Sequence, residues 1–410
     1  MAKVELRGRT LTLDVTRVRG RYEGEVTPEG DEIRGTWSQG GARLPLVFRR
    51  AKGPVALPRP QHPKPPFPYR AEDVRFAHRD GVLDEQGPVR LAGTLTLPPW
   101  PGPHPGVVLI SGSGPQDRDE TLLAHKPFLV LADYLTRRGF AVLRYDDRGV
   151  GESTGDFGAA TSFDFAHDAA AALRFLAARP EVDAKRCGLC GHSEGGLIAP
   201  LVASRQQGAA FCVLLAGPAV DGEAIVSLQS RRIQLAMGVD GVQIARSEAQ
   251  SAPLRAIAKE DTPRAEAERR LRAALEKLWE GLTPAERQQV GAKEAFLEPQ
   301  LRTLLSPWFR TFLRYDPAPA LRQVRCPVLA LNGALDLQVD AQQNLPVIAR
   351  ELEAGHNPDY AAIKLPGLNH LFQTCRTGAP AEYGKLEETF SPLALQTVGD
   401  WLRVRFVQPR

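Results

Sequence analysis

Cysteine is scarce in this 410-residue chain: there are five, at positions 187, 190, 212, 326 and 375, too few and too odd in number for a disulfide framework. An excess of charge of one sign is also missing. Lys and Arg total 52 against 48 Asp and Glu, a net charge of +4, which argues against an electrostatic grip on nucleic acid. No strongly basic patch is interleaved with aromatics, and Arg269-Arg270 reads as a solvated helix face. No apolar run approaches the roughly 18 residues that a membrane span requires, and Met1–Glu5 does not lead into the apolar region of a signal peptide. A soluble, cytoplasmic protein is therefore expected of the chain as given, with an exported parent form left open. Neither H-E-x-x-H nor a second cysteine pair accompanies Cys187 and Cys190, so no metal and no cofactor are expected. On a strand, residues three apart point to opposite faces, which makes these two cysteines small buried strand residues. Methionine, with two residues, is rarer still; heat adaptation and a GC-rich genome share that bias.

What is present is a globular composition, 43% hydrophobic, in a chain long enough for two or more folded units. Residues 1–53 break into short alternating pieces, Thr10–Val15, Arg21–Val26, Ile33–Trp37 and Leu44–Phe48, separated by Gly and charged turns, which are β signals. Residues 54–70 follow as a linker, with prolines at 54, 58, 60, 63, 65, 66 and 68. Such density favours extended polyproline II, a semi-rigid spacer more than an SH3-type ligand. Residues 71–410 then alternate strand and helix. The alternating Val89–Leu97 reads as an antiparallel lead-in. Parallel core strands are expected at Val107–Ile110, Ala141–Tyr145, Arg186–Cys190, Cys212–Leu215, Val328–Leu331 and Ala361–Leu365. Helices are expected near 124–138, 162–178, 194–205, 341–353 and 391–405, the pattern of a doubly wound α/β sheet. Between about 218 and 318 the alternation lapses into helices, with Leu271, Leu275, Leu278 and Leu282 at 4-3-4 spacing and a capping box at Thr283-Pro284-Ala285-Glu286. An insertion there is placed to form a helical cap. Its leucine stripe reads first as core, because a helix must bury its face on the domain.

Chemistry concentrates at Gly191-His192-Ser193-Glu194-Gly195, a G-x-S-x-G pattern between the short apolar run Cys187–Cys190 and a helix-like run from Gly196 to Ala203. The same pattern recurs at Gly151-Glu152-Ser153-Thr154-Gly155, but Asp156-Phe157-Gly158 follows, which reads as loop. Strand–turn–helix context selects Ser193 as nucleophile. A serine needs a general base, and the base needs a group that fixes its tautomer. Two histidines lie well beyond Ser193. His370 follows a strand and a short loop, where catalytic groups collect in parallel sheets, whereas His356 reads as a solvated helix end. Asp336 lies in the loop past Val328–Leu331; Asp340 precedes a helix-like run and reads as an N-cap. For the oxyanion, the loop Ser111–Glu120 brings small residues, so the donors expected are the backbone N–H of Glu194 and that of Ser113 or Gly114. A phosphate loop is disfavoured because no Gly-Lys-Ser/Thr follows.

Four stretches together, I-S-G-S-G-P-Q-D-R-D-E (110–120), R-Y-D-D-R-G-V-G-E-S-T-G (144–155), G-H-S-E-G-G (191–196) and S-P-W-F-R (306–310), resemble the EstD-type bacterial α/β-hydrolase esterases. The resemblance covers about residues 70–410. It implies an α/β-hydrolase fold and serine carboxylesterase activity on short acyl chains, with a triad falling on Ser193, Asp336 and His370. It also turns Asp146, Asp147 and Arg148 into supports of the site. The N-terminal β segment resembles the end of a small module found in some exported relatives, and reads as starting partway through it.

The expected function is hydrolysis of a small ester through an acyl-enzyme, with Trp308, Phe309 and Phe312, and Tyr315 beside them, as candidates for substrate contact. A peptidase or amidase and an acyltransferase would use the same triad. No acidic pair that would grip a peptide amine is visible in the sequence. A homodimer stays open, as does a targeting role for the first 68 residues.

Overall fold

The computed structural model describes residues 2–15, 20–39, 42–51, 58–77, 83–84, 87–205 and 208–407. Residues 54–57, where the proline spacer was expected to begin, lie outside them. The chain divides into two compact units: Met1–Leu57 with Thr262–Leu304, and Pro58–Asp261 with Leu305–Arg410.

The smaller unit contains five antiparallel strands in sequence order, β1 (Ala2–Arg7), β2 (Thr10–Val15), β3 (Gly20–Val26), β4 (Glu32–Gln39) and β5 (Ala42–Arg49). Alternation puts an apolar row on one face, because Val4, Leu13, Tyr22, Trp37 and Leu44 are successive cross-strand partners. Tyr22 is fully buried, and its hydroxyl donates to the carbonyls of Ile33 and Leu46 at 2.9 and 3.1 Å.

In the larger unit, eight strands form one mixed sheet. They are β6 (Arg70–Ala77), β9 (Arg90–Leu97), β10 (His104–Ile110), β11 (Ala141–Tyr145), β12 (Val182–His192), β13 (Cys212–Leu215), β14 (Val328–Gly333) and β15 (Tyr360–Leu365); a two-residue pair, β7 (Leu83–Asp84) and β8 (Gly87–Pro88), stands apart. The order is β15-β14-β13-β12-β10-β11-β9-β6. From β10 to β15 all pairings are parallel, and β9 runs antiparallel to β11 and β6. This is the doubly wound arrangement expected, with one addition: β6 gave no clear signal because this edge strand is mostly charged and buries only Val74 and Phe76.

The period of two assigns the core. Val108, Ile110, Cys187, Leu189, Cys212 and Leu214 join the cluster on one face, while Val107, Leu109, Cys190, Val213 and Leu215 join that on the other. Cys187 and Cys190 thus sit on opposite faces. Burial pushes both thiols up, Cys187 to about 12, so they stay protonated packing groups. Helices α2 (Ser162–Ala177), α3 (Glu194–Ser204) and α11 (Ala341–Ala354) supply the first cluster; α1 (Pro127–Thr136) and α13 (Pro392–Phe406) supply the second. Each long β–α connection returns the chain to a parallel strand, adjacent in every case except β11 to β12, which pass on either side of β10; the strands' carboxyl ends are thus left on one edge, where loops can converge.

The helical insertion is split between the units. Helices α4 (Gly222–Ala236), α5 (Gly241–Lys259), α9 (Pro307–Arg314) and the short α10 (Ala318–Gln323) belong to the larger; α6 (Arg264–Glu280), α7 (Pro284–Val290) and α8 (Lys293–Leu304) belong to the smaller. Leu271 and Leu275 are fully buried in α6, whereas Leu282 falls beyond its end. The Thr283–Glu286 capping box opens α7. A four-residue helix α12 (Pro380–Tyr383) completes the chain's elements.

Candidate active site

Ser193 stands where β12 turns into α3, with φ +52° and ψ −117°, a strained conformation for a side chain other than glycine, costing on the order of 1–3 kcal/mol. Neighbouring glycines make the turn possible. A Cβ on Gly191 would lie 1.9 Å from the Gly195 carbonyl oxygen, and one on Gly195 would lie 2.1 Å from that of Ile110. The Ser193 amide is held by the Leu215 carbonyl at 2.7 Å. By contrast, the Ser153 hydroxyl donates to the Asp146 carbonyl at 2.7 Å and accepts from the Ala92 amide at 2.9 Å, both buried.

Asp336, in the loop after β14, and His370, in the loop after β15, are brought together. His370 Nδ1 lies 2.8 Å from Asp336 Oδ2, with both side chains buried. Asp336 Oδ1 accepts the amides of Gln338 and Val339 at 2.8 and 2.9 Å, so its two oxygens have separate tasks. Asn369 stiffens the histidine loop by accepting the amides of Leu371 and Gln373. The other candidates are placed elsewhere. Asp340 caps α11 by accepting from the Gln343 amide and pairs with Arg232, and His356 is exposed just past that helix.

Facing Ser193 is the loop after β10. Gly112 packs so closely that a Cβ there would sit 3.2 Å from the Ser193 Cβ, and its amide donates to Glu120 Oε1 at 2.7 Å. Asp147 pins the same loop, accepting from the Ser111 hydroxyl at 2.7 Å and the Gln116 amide at 3.0 Å. Burial raises the Asp147 carboxyl to about 8 against those two bonds, and the nearby Asp168 and Glu194 carboxyls add to the rise. Asp146 accepts from Arg118, and Arg148 pairs with Asp168 at 2.7 Å.

A cavity of about 470 Å³ opens at the serine, lined by Ser113, Ser193 and Glu194, by Ile225, Val226 and Ile233 of α4, and by Trp308, Phe309 and Phe312 of α9. This is within the range of small-molecule sites. Trp308 stacks on Phe312, 5.3 Å between centroids. Tyr315 instead meets Phe163 edge-on, and Gly114 is absent from the lining. Among the described residues, no group of three His, Cys, Asp or Glu side chains is set to hold a metal ion, and no helix is long and apolar enough to cross a membrane.

Two features had no sequence signal. The Glu194 carboxylate is buried and accepts from the Ser162 hydroxyl at 2.6 Å and the Trp308 indole N–H at 2.7 Å. Burial raises this carboxyl, and the two donors hold the rise back. It therefore joins the residue after the serine to the aromatic wall. Glu120 and His192 form a second buried pair beneath the site, at 2.8 Å.

The chain as a whole is similar to several known proteins. Residues 126–270 match the family model described as serine aminopeptidase, S33. The chain is 28% identical to the esterase EstD of Thermotoga maritima over 296 residues, 72% of this chain and 61% of that protein. It is 32% identical to human mitochondrial acyl-coenzyme A thioesterase 2 over 130 residues, 31% of this chain and 24% of that one. The chain thus spans less than two thirds of the length of these curated relatives. Among solved structures, the α/β hydrolase GrgF from a Penicillium species superposes with a TM-score of 0.50 at 17% identity, covering 83% of this chain and 100% of that one. The fold is that of an α/β hydrolase.

Proposed function

We propose that this chain, an α/β hydrolase similar to the EstD esterase, is a serine carboxylesterase that hydrolyses short acyl esters through an acyl-enzyme, with Ser193, Asp336 and His370 as its triad. The observation that carries the reading is the strained Ser193 opening into a largely apolar cavity of about 470 Å³. His370 Nδ1–H donates to Asp336 Oδ2, which leaves Nε2 as the base. Ser193 Oγ gives that nitrogen its proton as it bonds to the ester carbonyl carbon. The carbonyl oxygen takes up the negative charge, stabilised by the backbone N–H groups of Glu194 and Ser113. Ser113 is preferred to Gly114 because it lines the cavity, and the Gly112 amide is already committed to Glu120. The alkoxide leaves with the proton from His370, and a water activated by the same nitrogen then releases the acid.

Wall chemistry favours an ester over a peptide. An aminopeptidase needs a carboxylate free to hold an ammonium group, and the carboxylate lining this cavity, Glu194, already serves two donors. Trp308, Phe309 and Phe312 are the proposed acyl or alcohol contacts, with α4 and α9 as the covering elements. Initial rates on p-nitrophenyl esters of increasing chain length, beside aminoacyl p-nitroanilides, test the reading. A maximum at short acyl chains, with anilide turnover far lower, is expected; preferential anilide turnover would replace the esterase by a peptidase.

A further inference from the structure

His192, the residue before the nucleophile, is 6% exposed, and each of its ring nitrogens faces an acceptor. Nδ1 lies 2.8 Å from Glu120 Oε1, and Nε2 lies 2.9 Å from the carbonyl oxygen of His370. A carbonyl oxygen can only accept, so Nε2 must carry a proton. Nδ1 faces a carboxyl that also accepts the Gly112 amide through the same oxygen. A carboxylic acid is ordinarily about two units stronger than an imidazolium, so the proton between Glu120 and Nδ1 belongs on the ring. We infer that His192 is a buried imidazolium and a positioning residue: with Glu120 it ties the loop facing Ser193 to the backbone of His370. The inference rests on the esterase reading above, in which those two parts supply the oxyanion loop and the base.

Geometry makes the charge useful. One proton-rich ring links three segments that come together only in the folded chain: the loop after β10 through Glu120 and Gly112, the end of β12, and the loop after β15. The His192 and His370 rings are 4.9 Å apart, and Phe372 covers His192 edge-on. The charged or titratable groups facing His192 are Glu120, His370 and Asp336; Cys190, whose thiol burial pushes up, adjoins Glu120. Burial opposes the imidazolium, but the Glu120 charge and hydrogen bond, the His370 carbonyl and the Asp336 charge outweigh it, so His192 titrates above its ordinary value. The tie is then present below that raised pKa and is lost as pH rises through it. Loosening the geometry by a fraction of an ångström to one ångström costs up to the order of 10²-fold in rate.

Two measurements test this. In the ¹⁵N-histidine-labelled Ser193→Ala protein at pH 7, nuclear magnetic resonance should show one ring with both nitrogens protonated and in slow exchange, missing from the Ser193→Ala/His192→Gln protein. A His192 ring with one protonated nitrogen would overturn the inference, and this readout does not depend on ester turnover. In the Ser193-bearing protein, His192→Gln should lower kcat by on the order of 10-fold to 10²-fold with KM nearly constant, and remove the alkaline limb of the kcat profile. An unchanged alkaline limb would equally overturn it. Ester turnover surviving in Ser193→Ala would instead sink the esterase reading and leave the resonance result standing.

Discussion

Replacing Trp308 by Phe separates packing from hydrogen bonding at the wall of the cavity. Phenylalanine can keep the stacking on Phe312, but it has no indole N–H for Glu194. Glu194 Oε1 then keeps one donor, the Ser162 hydroxyl, inside a site 3% exposed. Removing a donor from a buried carboxyl costs about 1–3 kcal/mol. The sign with pH follows from linkage. Burial raises the folded Glu194 carboxyl above its unfolded value while Trp308 holds the rise back, so its loss raises the carboxyl further. Below the unfolded pKa of about 4.3 the group is protonated in both states; above it the folded protein is penalised, over a wider window in the variant. Urea unfolding of both proteins at pH 4.5, 6 and 8 should show a deficit that grows with pH, and the variant's acyl-chain profile should broaden because the ring has lost its tether. A deficit equal at all three pH values, or none, with an unchanged chain-length profile, would refute the argument.

Other outcomes follow from the same contacts. With its carboxyl raised to about 8 by burial, Asp147 keeps a proton that the unfolded chain releases near pH 4, so stability falls as pH rises between those values. Asp147→Asn should flatten that slope in denaturant titrations; an unchanged slope contradicts the raised pKa. Ser153→Ala leaves the Ala92 amide and the Asp146 carbonyl without a partner. It should cost about 1–3 kcal/mol of stability yet retain ester turnover per folded molecule, whereas abolished turnover would move the nucleophile.

Much of the larger unit was legible because a strand buried on both faces reads as a continuous apolar run, as Val107–Ile110, Cys212–Leu215 and Val328–Leu331 do. Position along the chain then separated Asp336 from Asp340 and His370 from His356, since one of each pair adjoins a helix and the other follows a strand. Legibility ended where a role is made by a contact remote in sequence. Glu194 and Trp308 are 114 residues apart, and His192 and Glu120 are 72 apart; the sequence singled out Glu194 for its backbone N–H and Trp308 as a substrate contact, but nothing in it joins the members of either pair. β6 was missed because an edge strand with charges on its open face has little periodic apolar signal. The division of the insertion at Asp261 and Thr262 was hidden for a related reason: amphipathic helices announce that they bury a face, and say nothing of what against.

Fluorophosphonate labelling tests the central claim most directly. Reaction with an ester-mimicking fluorophosphonate, followed by digestion and mass spectrometry, should place a single adduct on the peptide that carries Ser193, with no adduct in Ser193→Ala. An adduct on Ser153, or none on a folded protein that still turns over esters, would contradict the assignment of Ser193 as nucleophile.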